Sequence, residues 1–337
     1  MVTKVFQLLL LLSPICTCAD MNMDVFDLIF FRTGITVLFM ASLWDTPRRD
    51  IPREVRIGVI GLLGICLFNA FIHAWDSVVL YNLLNVFLAA VGFCIVYRYL
   101  DISKSLIKYI LAAGAINLAL YIMQINAIDP VFDMKPQNGG AFLGNTPRLT
   151  NYFTLLLSFL PFPLILLGAG LVVLTKQMVL LIPIALFVLL RIKSLKLKAV
   201  FLGLLTLFAC VYHRHIYISL VETRMMTYWF PALVAFFNRP LIGHGLGYRV
   251  VQDTGAVFNS YLQFIVGVGI GGAVWFGYVL RNVYKRISGS REGVAFLTLA
   301  FLMVVEYPIE IIRLWFLHIA IVAGFLIKTD AVVPGQV

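Results

Sequence analysis

Arg224 opens the stretch of the chain whose residue types and spacing could act on a phosphate group. It precedes an amphipathic segment that carries Trp229 and Phe230. A guanidinium there could bind a phosphate through two parallel hydrogen bonds. It could equally do no more than solvate a helix at a membrane surface, since long cationic side chains suit that position. The sequence leaves both interpretations open.

A glycine-spaced loop follows a turn at residues 238–240. Its glycines are Gly243, Gly245 and Gly247. The backbone N–H groups of such a loop can surround a phosphate, and the same spacing also forms an ordinary tight turn. No strand is predicted before the loop, so a nucleotide-binding fingerprint is excluded.

Further polar residues flank these two features. Asn259 and Tyr261 stand in the first turn of a long apolar segment, where they could cap a helix or contact a substrate. Arg148, Arg239 and Arg249 are expected on the same face as the first arginine, where they would raise the local positive field.

The composition indicates a membrane protein. The 337 residues are 61% hydrophobic and 12% charged, with a mean hydropathy of +0.97, and a soluble domain carries roughly twice that charged fraction. Apolar runs of about 20 residues recur, each long enough to cross a hydrocarbon layer of about 30 Å. The sequence therefore predicts an all-α, polytopic transmembrane helical bundle of about 10–11 spans with a large periplasmic loop.

Neither the charge nor the cysteines indicate another class of protein. Basic loops that set the orientation of membrane helices account for the net charge of +10, so the lipid bilayer is an expected partner and nucleic acid is not. The five cysteines lie in apolar stretches and give neither a disulfide framework nor a zinc site.

The predicted spans lie at about 25–43, 57–74, 78–99, 105–124, 152–174, 178–191, 198–213, 257–280, 293–307 and 312–327. Residues 1–19 are either a cleaved signal peptide or a first span. Residues 20–327 are predicted to form one transmembrane domain, and residues 328–337 a cytoplasmic tail.

Loops 124–150 and 214–256 are predicted to be periplasmic, because basic connections on the other side are typical of the cytoplasm. Counting spans from the N-terminus places the second loop inside, whereas counting back from the basic segment after Arg281 places it outside. The outside assignment is kept because that basic segment is the stronger signal.

The order of these features resembles the O-antigen ligase and polymerase superfamily of bacterial envelope glycosyltransferases. The signature of that family is an arginine, a tryptophan-bearing helix, a Pro-x-x-Gly-x-Gly turn, and His-Asn-x-Tyr-Leu followed by Gly-x-x-Gly. The matching residues are, in order, Arg224, Trp229, Pro240 to Gly245, Asn259 to Leu262 and Gly269 to Gly272. The segment Gly144 to Pro147 is also similar to the family's Gly-x-Phe-x-Asn start of its central helices. The resemblance covers about residues 140–280.

The resemblance implies a reaction at the periplasmic face of the bacterial inner membrane. A glycan on undecaprenyl diphosphate is transferred to another lipid-linked repeat unit by a polymerase, or to the lipid A core by a ligase. The resemblance implies no metal or other cofactor, because diphosphate is already a good leaving group, and it adds a flippase and a chain-length regulator as partners. Arg224 would stabilise the diphosphate charge, and Arg191 stands where the family often has another arginine. The predicted substrate-binding residues are Arg148, Arg191, Arg239, Gly243, Gly245, Arg249, Asn259 and Tyr261.

One position departs from the ligase signature. Phe258 replaces the histidine that is thought to activate the acceptor hydroxyl, and phenylalanine cannot accept a proton. On reach alone the candidate bases are His244, Asp253, Glu222 and Glu310. His244 and Glu310 join Arg224 as the predicted catalytic residues, although Glu310 could instead form an ion pair with Arg313 on its own helix face.

The departure favours a polymerase-like enzyme that lengthens O-antigen, capsule or exopolysaccharide. The alternatives are a ligase, an inactive relative, and a lipid-glycan transporter or binding protein without chemistry. No internal repeat, which a transporter would more often show, is found in the sequence.

Overall fold

The computed structural model describes residues 1–15, 23–74, 76–101, 105–125, 146–160, 181–211, 217–248, 250, 259–284, 286–287, 290–305 and 314–332. Within these ranges all regular structure is helical, and no strand is present. The all-α prediction is therefore confirmed for the described part of the chain.

The α-helices are α1 (Val2–Leu12), α2 (Met23–Leu43), α3 (Arg53–Ile72), α4 (Ser77–Tyr99), α5 (Ser105–Ile125), α6 (Thr146–Leu157), α7 (Leu181–Arg191), α8 (Leu195–Val211), α9 (Phe230–Asn238), α10 (Ser260–Val268), α11 (Ile270–Tyr284), α12 (Arg291–Val305) and α13 (Trp315–Val332). A π-helix, π1 (Tyr217–Trp229), runs directly into α9.

Three of these helices are long and apolar enough to cross a membrane: α3, α4, and residues 106–123 of α5. Shorter apolar helices are Val2–Leu12, Leu28–Leu43 and Trp315–Thr329. Helices α2 to α5 lie where the sequence predicts spans. The number of spans in the whole bundle stays a prediction.

Two predicted boundaries are wrong. The predicted span 257–280 is not one helix, because α10 ends at Gly269, whose φ of 72° lies in the left-handed region that favours glycine. Helix α6 begins at Thr146, inside the predicted loop 124–150. Pro147 suits the first turn of this helix, because an N–H group there would have no acceptor within the helix and proline has no N–H. Within the predicted loop 214–256, helix runs from Tyr217 to Asn238, in the part where an amphipathic segment with Trp229 is expected.

The largest buried core joins α1, α2, α4, α5, α6, α12 and α13. Phe6, Phe31 and Phe316 meet in it, with the first two ring centroids 6.3 Å and 5.2 Å from the third. Gly34 lies against the same cluster, since a Cβ there would stand 2.6 Å from Phe316 Cζ. Small residues allow membrane helices to approach this closely.

Helix α1 takes part in this core. Val2 and Phe6 are fully buried, and both the N-terminal amine and the Val2 N–H donate hydrogen bonds to the Asp45 carboxylate. The helix has 11 residues and is about 16 Å long, roughly half the thickness of a hydrocarbon layer. It therefore does not cross a membrane by its own length.

A second, smaller core holds the segment on which the site depends. It joins Cys66 and Ala70 of α3, Val79 of α4, Leu246 of the segment 239–248, and Val268 of α10. We call the segment 239–248 the glycine loop. Its apolar anchor fixes it against the ends of three helices.

Candidate functional site

The glycine loop turns sharply at three positions. Gly243, Gly245 and Gly247 have φ angles of 67°, 102° and 83°. These values fall in the left-handed region, which costs an ordinary L-residue about 1–2 kcal/mol. A Cβ on Gly243 would overlap the carbonyl oxygen of Gly267. The loop therefore needs glycine both for its backbone angles and for its close contact with α10.

The backbone N–H groups of the loop are used within the fold. His244 N–H donates to the Val266 carbonyl at 2.9 Å. Gly245 N–H donates to the Gly267 carbonyl at 2.9 Å, and Gly243 N–H donates within the loop at 2.9 Å. Because these three donors already have acceptors, the geometry favours the tight-turn interpretation over a phosphate cradle at Gly243 and Gly245.

Asn69 of α3 ties the glycine loop to α10. It is 2% exposed. Its Nδ2 donates to the carbonyls of Ile242 and Gly267, both at 3.0 Å, and its Oδ1 accepts the Leu246 N–H at 3.0 Å. One amide thus satisfies backbone groups of two other segments. Such a residue inside an apolar helix is a signal that the sequence offers, because polar groups in membrane segments seek partners.

The imidazole of His244 has a defined tautomer. Its Nε2 lies 2.7 Å from the Ala235 carbonyl oxygen of α9. A carbonyl oxygen only accepts hydrogen bonds, so Nε2 carries the proton. The ring stacks on Tyr248 with centroids 4.4 Å apart. Nδ1 is therefore the nitrogen that can accept a proton in the neutral ring.

Arg224 lies on π1, four residues before the buried Tyr228. Its side chain is half-buried and has an interaction partner within the fold. Tyr228 packs with Ala232 and with Val266 of α10 in a third core, against which Trp229 also packs. The helix that carries the arginine is therefore attached to α10.

Asn259 and Tyr261 are both engaged in the structure at the start of α10. Asn259 caps this helix, since its Oδ1 accepts the Leu262 N–H at 2.9 Å. The Tyr261 hydroxyl donates to the Ala300 carbonyl of α12 at 3.1 Å. The capping interpretation of Asn259 is confirmed, and a substrate contact stays a prediction.

The other predicted residues are not gathered around α10 by the described structure. Arg239 is exposed at the C-terminal end of α9. Arg191 ends α7, with its guanidinium carbon 5.4 Å from the Phe187 ring centroid, and α7 packs on α6, α8 and α12. Arg148 lies in the first turn of α6, and its side chain lies outside the described residues, as do Arg249 and Glu310 altogether.

Two further polar side chains were not among the predicted residues, one beside the glycine loop and one on α2. The His73 ring lies 3.5 Å from where a Cβ on Gly245 would stand, and its Nε2 is buried without a hydrogen-bond partner. Arg32 of α2 donates to Asn85 of α4. The sequence could have pointed to both residues, because each is an ionisable residue within or beside an apolar run.

No metal site is formed by the described part of the chain, where no three His, Cys, Asp or Glu side chains converge. Comparisons with protein-family models, with curated proteins and with solved structures find no match for this chain.

Proposed function

We propose that the protein is a multi-pass membrane glycosyltransferase of the polymerase type, which lengthens a surface polysaccharide from undecaprenyl-diphosphate-linked repeat units. The observation that carries the proposal is the grouping of the resemblance-bearing segments around α10. Tyr228 shares a core with Val266 of α10, and Trp229 packs against that core. The glycine loop bonds to the C-terminal end of α10, and Asn259 caps its N-terminus. The resemblance-bearing segments between Arg224 and Asn259 are thus attached to one helix.

The reaction is a displacement at the anomeric carbon of the donor glycan. The oxygen of an acceptor hydroxyl forms the new C–O bond, and the bond between the anomeric carbon and the diphosphate oxygen breaks. The electron pair leaves with undecaprenyl diphosphate, and the hydroxyl proton passes to a base. Arg224 would stabilise the charge of the leaving group. The Nδ1 of His244 would accept the proton, because Nε2 already carries one.

The proposed site faces the periplasm of a bacterial inner membrane. Its partners would be the lipid-linked oligosaccharide, a flippase that supplies it and a chain-length regulator. Glu310, outside the described residues, stays a second candidate for the base.

The test is polymerisation by the purified protein in lipid nanodiscs, with a lipid-linked repeat unit as the substrate and a gel that resolves product lengths. Wild type should give a ladder, and Arg224→Ala should lower its rate by about 100-fold or more, as the loss of a charge-stabilising group typically does. Arg53→Ala is the matched control, because Arg53 is an exposed arginine at the start of α3, in a connection predicted to be cytoplasmic. A wild-type protein that never forms a glycosidic bond would refute the proposal.

Two alternatives are separated by further arms of the same experiment. Lipid A core added as acceptor would give a single transfer product with a ligase and no ladder. A transporter is favoured by one observation, the helix break at Gly269, since broken helices are typical of transporters. It would move a fluorescent lipid-linked glycan across proteoliposomes without forming a bond.

A further inference from the structure

Arg32 is the only charged residue in the apolar segment Leu28–Leu43 of α2. An ionisable side chain inside an apolar helix is energetically costly, so it usually has a partner or a function. The groups around Arg32 in the fold therefore indicate whether it has a structural partner or a function.

The partners of Arg32 in the fold are neutral. Its Nη2 donates to Asn85 Oδ1 at 3.1 Å, and its guanidinium carbon lies 5.1 Å from the centroid of the Tyr81 ring. The Nε is buried and has no hydrogen-bond partner among the residues that the structure describes. Within the described residues no carboxylate forms an ion pair with it. The charge is thus held by an amide and a ring, and guanidinium donors remain for an anion.

The glycine loop lies against the same helix, α4, that holds this guanidinium. A Cβ on Gly247 would stand 3.1 Å from both Val78 Cγ1 and Asn82 Cγ. The loop therefore covers the first turns of α4, just after the residue that caps it, Asp76.

The loop and Arg32 share one face of α4. At 3.6 residues per turn, positions 78, 81, 82 and 85 fall within an arc of about 100°. Val78 and Asn82 contact the loop, whereas Tyr81 and Asn85 contact the guanidinium. The two contact pairs are centred three residues apart, which is about 5 Å along the helix axis.

We propose that Arg32, oriented by Asn85 and Tyr81, binds the phosphate group of a polyprenyl lipid beside the glycine loop. The inference rests on the proposed function and adds a lipid-phosphate contact to its site. Arg32 is partly exposed, so a phosphate oxygen would accept hydrogen bonds from guanidinium N–H groups other than the buried Nε. Tyr81 and Asn85 stand about 6–12 Å from the start of α4, in the first half of the helix.

The test is lipid binding by the full-length protein in phosphatidylcholine nanodiscs, titrated with a fluorescent short-chain polyprenyl phosphate. Arg32→Gln should weaken binding by about tenfold or more, since it removes charge-assisted hydrogen bonds, and Arg32→Lys should restore part of the loss. Tyr81→Leu, at an exposed ring, should weaken binding a few-fold without risk to the core.

Arg98→Gln is the matched control. Arg98 lies at the other end of α4, with its guanidinium carbon 5.9 Å from the Tyr99 ring centroid and a buried Nε that has no hydrogen-bond partner. Binding that survives Arg32→Gln and Tyr81→Leu, or that falls equally in Arg98→Gln, would overturn the proposal.

Competitors identify the source of the phosphate. Inorganic phosphate and diphosphate should compete weakly, because they lack the polyprenyl chain. If they compete as well as unlabelled polyprenyl phosphate does, the site binds the free anion and the assignment to a lipid is overturned. Equal competition by phosphatidylglycerol would mean a general anionic-lipid site and would likewise overturn the assignment. The two proposals can fail separately. If the protein binds the lipid through Arg32 but forms no glycosidic bond, the lipid-phosphate site stands and the proposed polymerase function is refuted.

Discussion

Asn69→Ala removes three hydrogen bonds that join α3, the glycine loop and α10. A side-chain hydrogen bond between membrane helices contributes about 0.6 kcal/mol, and a typical one in a protein contributes about 1 kcal/mol. The loss of all three therefore costs about 2–3 kcal/mol. The cost is local, because the residue lies in the small core of the glycine loop and not in the main core.

The thiol of Cys66 measures this loss. It is fully buried in the same small core, three residues before Asn69 on α3. With the other cysteines replaced by serine, its alkylation in mild detergent depends on local opening of this core. A cost of about 2–3 kcal/mol raises the open population, and hence the rate of labelling, by about 30- to 150-fold.

Asn282→Ala is the matched control for the same substitution. The Asn282 side chain donates only within its own helix, to the Tyr278 carbonyl at 2.8 Å, so Cys66 labelling should stay at the wild-type rate. If Asn69→Ala changes the labelling rate by less than about threefold, which is under 1 kcal/mol, the reasoning that this amide holds the loop is refuted.

Two further outcomes follow from local geometry. Gly243→Ala should destabilise the protein by about 2 kcal/mol or more, since the backbone of Gly243 lies in the left-handed region and a Cβ there would meet a carbonyl group. Gly277→Ala is the control: a Cβ at Gly277 would have open space around it, so the midpoint of thermal unfolding should stay unchanged or rise. The hydrogen bond from the N-terminal amine lowers the pKa of Asp45 below its ordinary 3.8. The contribution of the Asp45 carboxylate to the free energy of unfolding is thus complete above pH 3.8 and is lost as the pH falls through the folded pKa. Thermal unfolding midpoints measured from pH 6 to pH 3 should therefore fall more steeply in wild type than in Asp45→Asn.

Local sequence was sufficient for the helical class and for several details of the site. Apolar runs predicted α2 to α5, because burial in lipid requires a continuous apolar surface. Capping was one of two roles that the sequence allowed for Asn259, because capping depends only on the residues that follow it. A tight turn was likewise one of two interpretations of the glycine spacing, since φ above zero favours glycine at almost no steric cost.

The same local reasoning failed where a backbone group has its partner far along the chain. The break at Gly269 is fixed by Leu241, whose carbonyl oxygen would lie 2.5 Å from a Cβ there. The periodicity of apolar residues does not depend on this contact between Gly269 and Leu241, so the sequence predicted one continuous span. The sequence also left open whether the N–H groups of the glycine loop bind a phosphate or only form a tight turn, and α10 accepts two of them.

The sequence by itself determined that this chain is an apolar, helical protein with a cationic, glycine-turned segment, because composition, capping and turn preference are properties of neighbouring residues. Only the tertiary structure decided which helices meet that segment. Asn69 bonds to Leu246 across 177 residues, and Arg32 bonds to Asn85 across 53. Such pairs depend on how complete helices pack, and no window of sequence contains both partners.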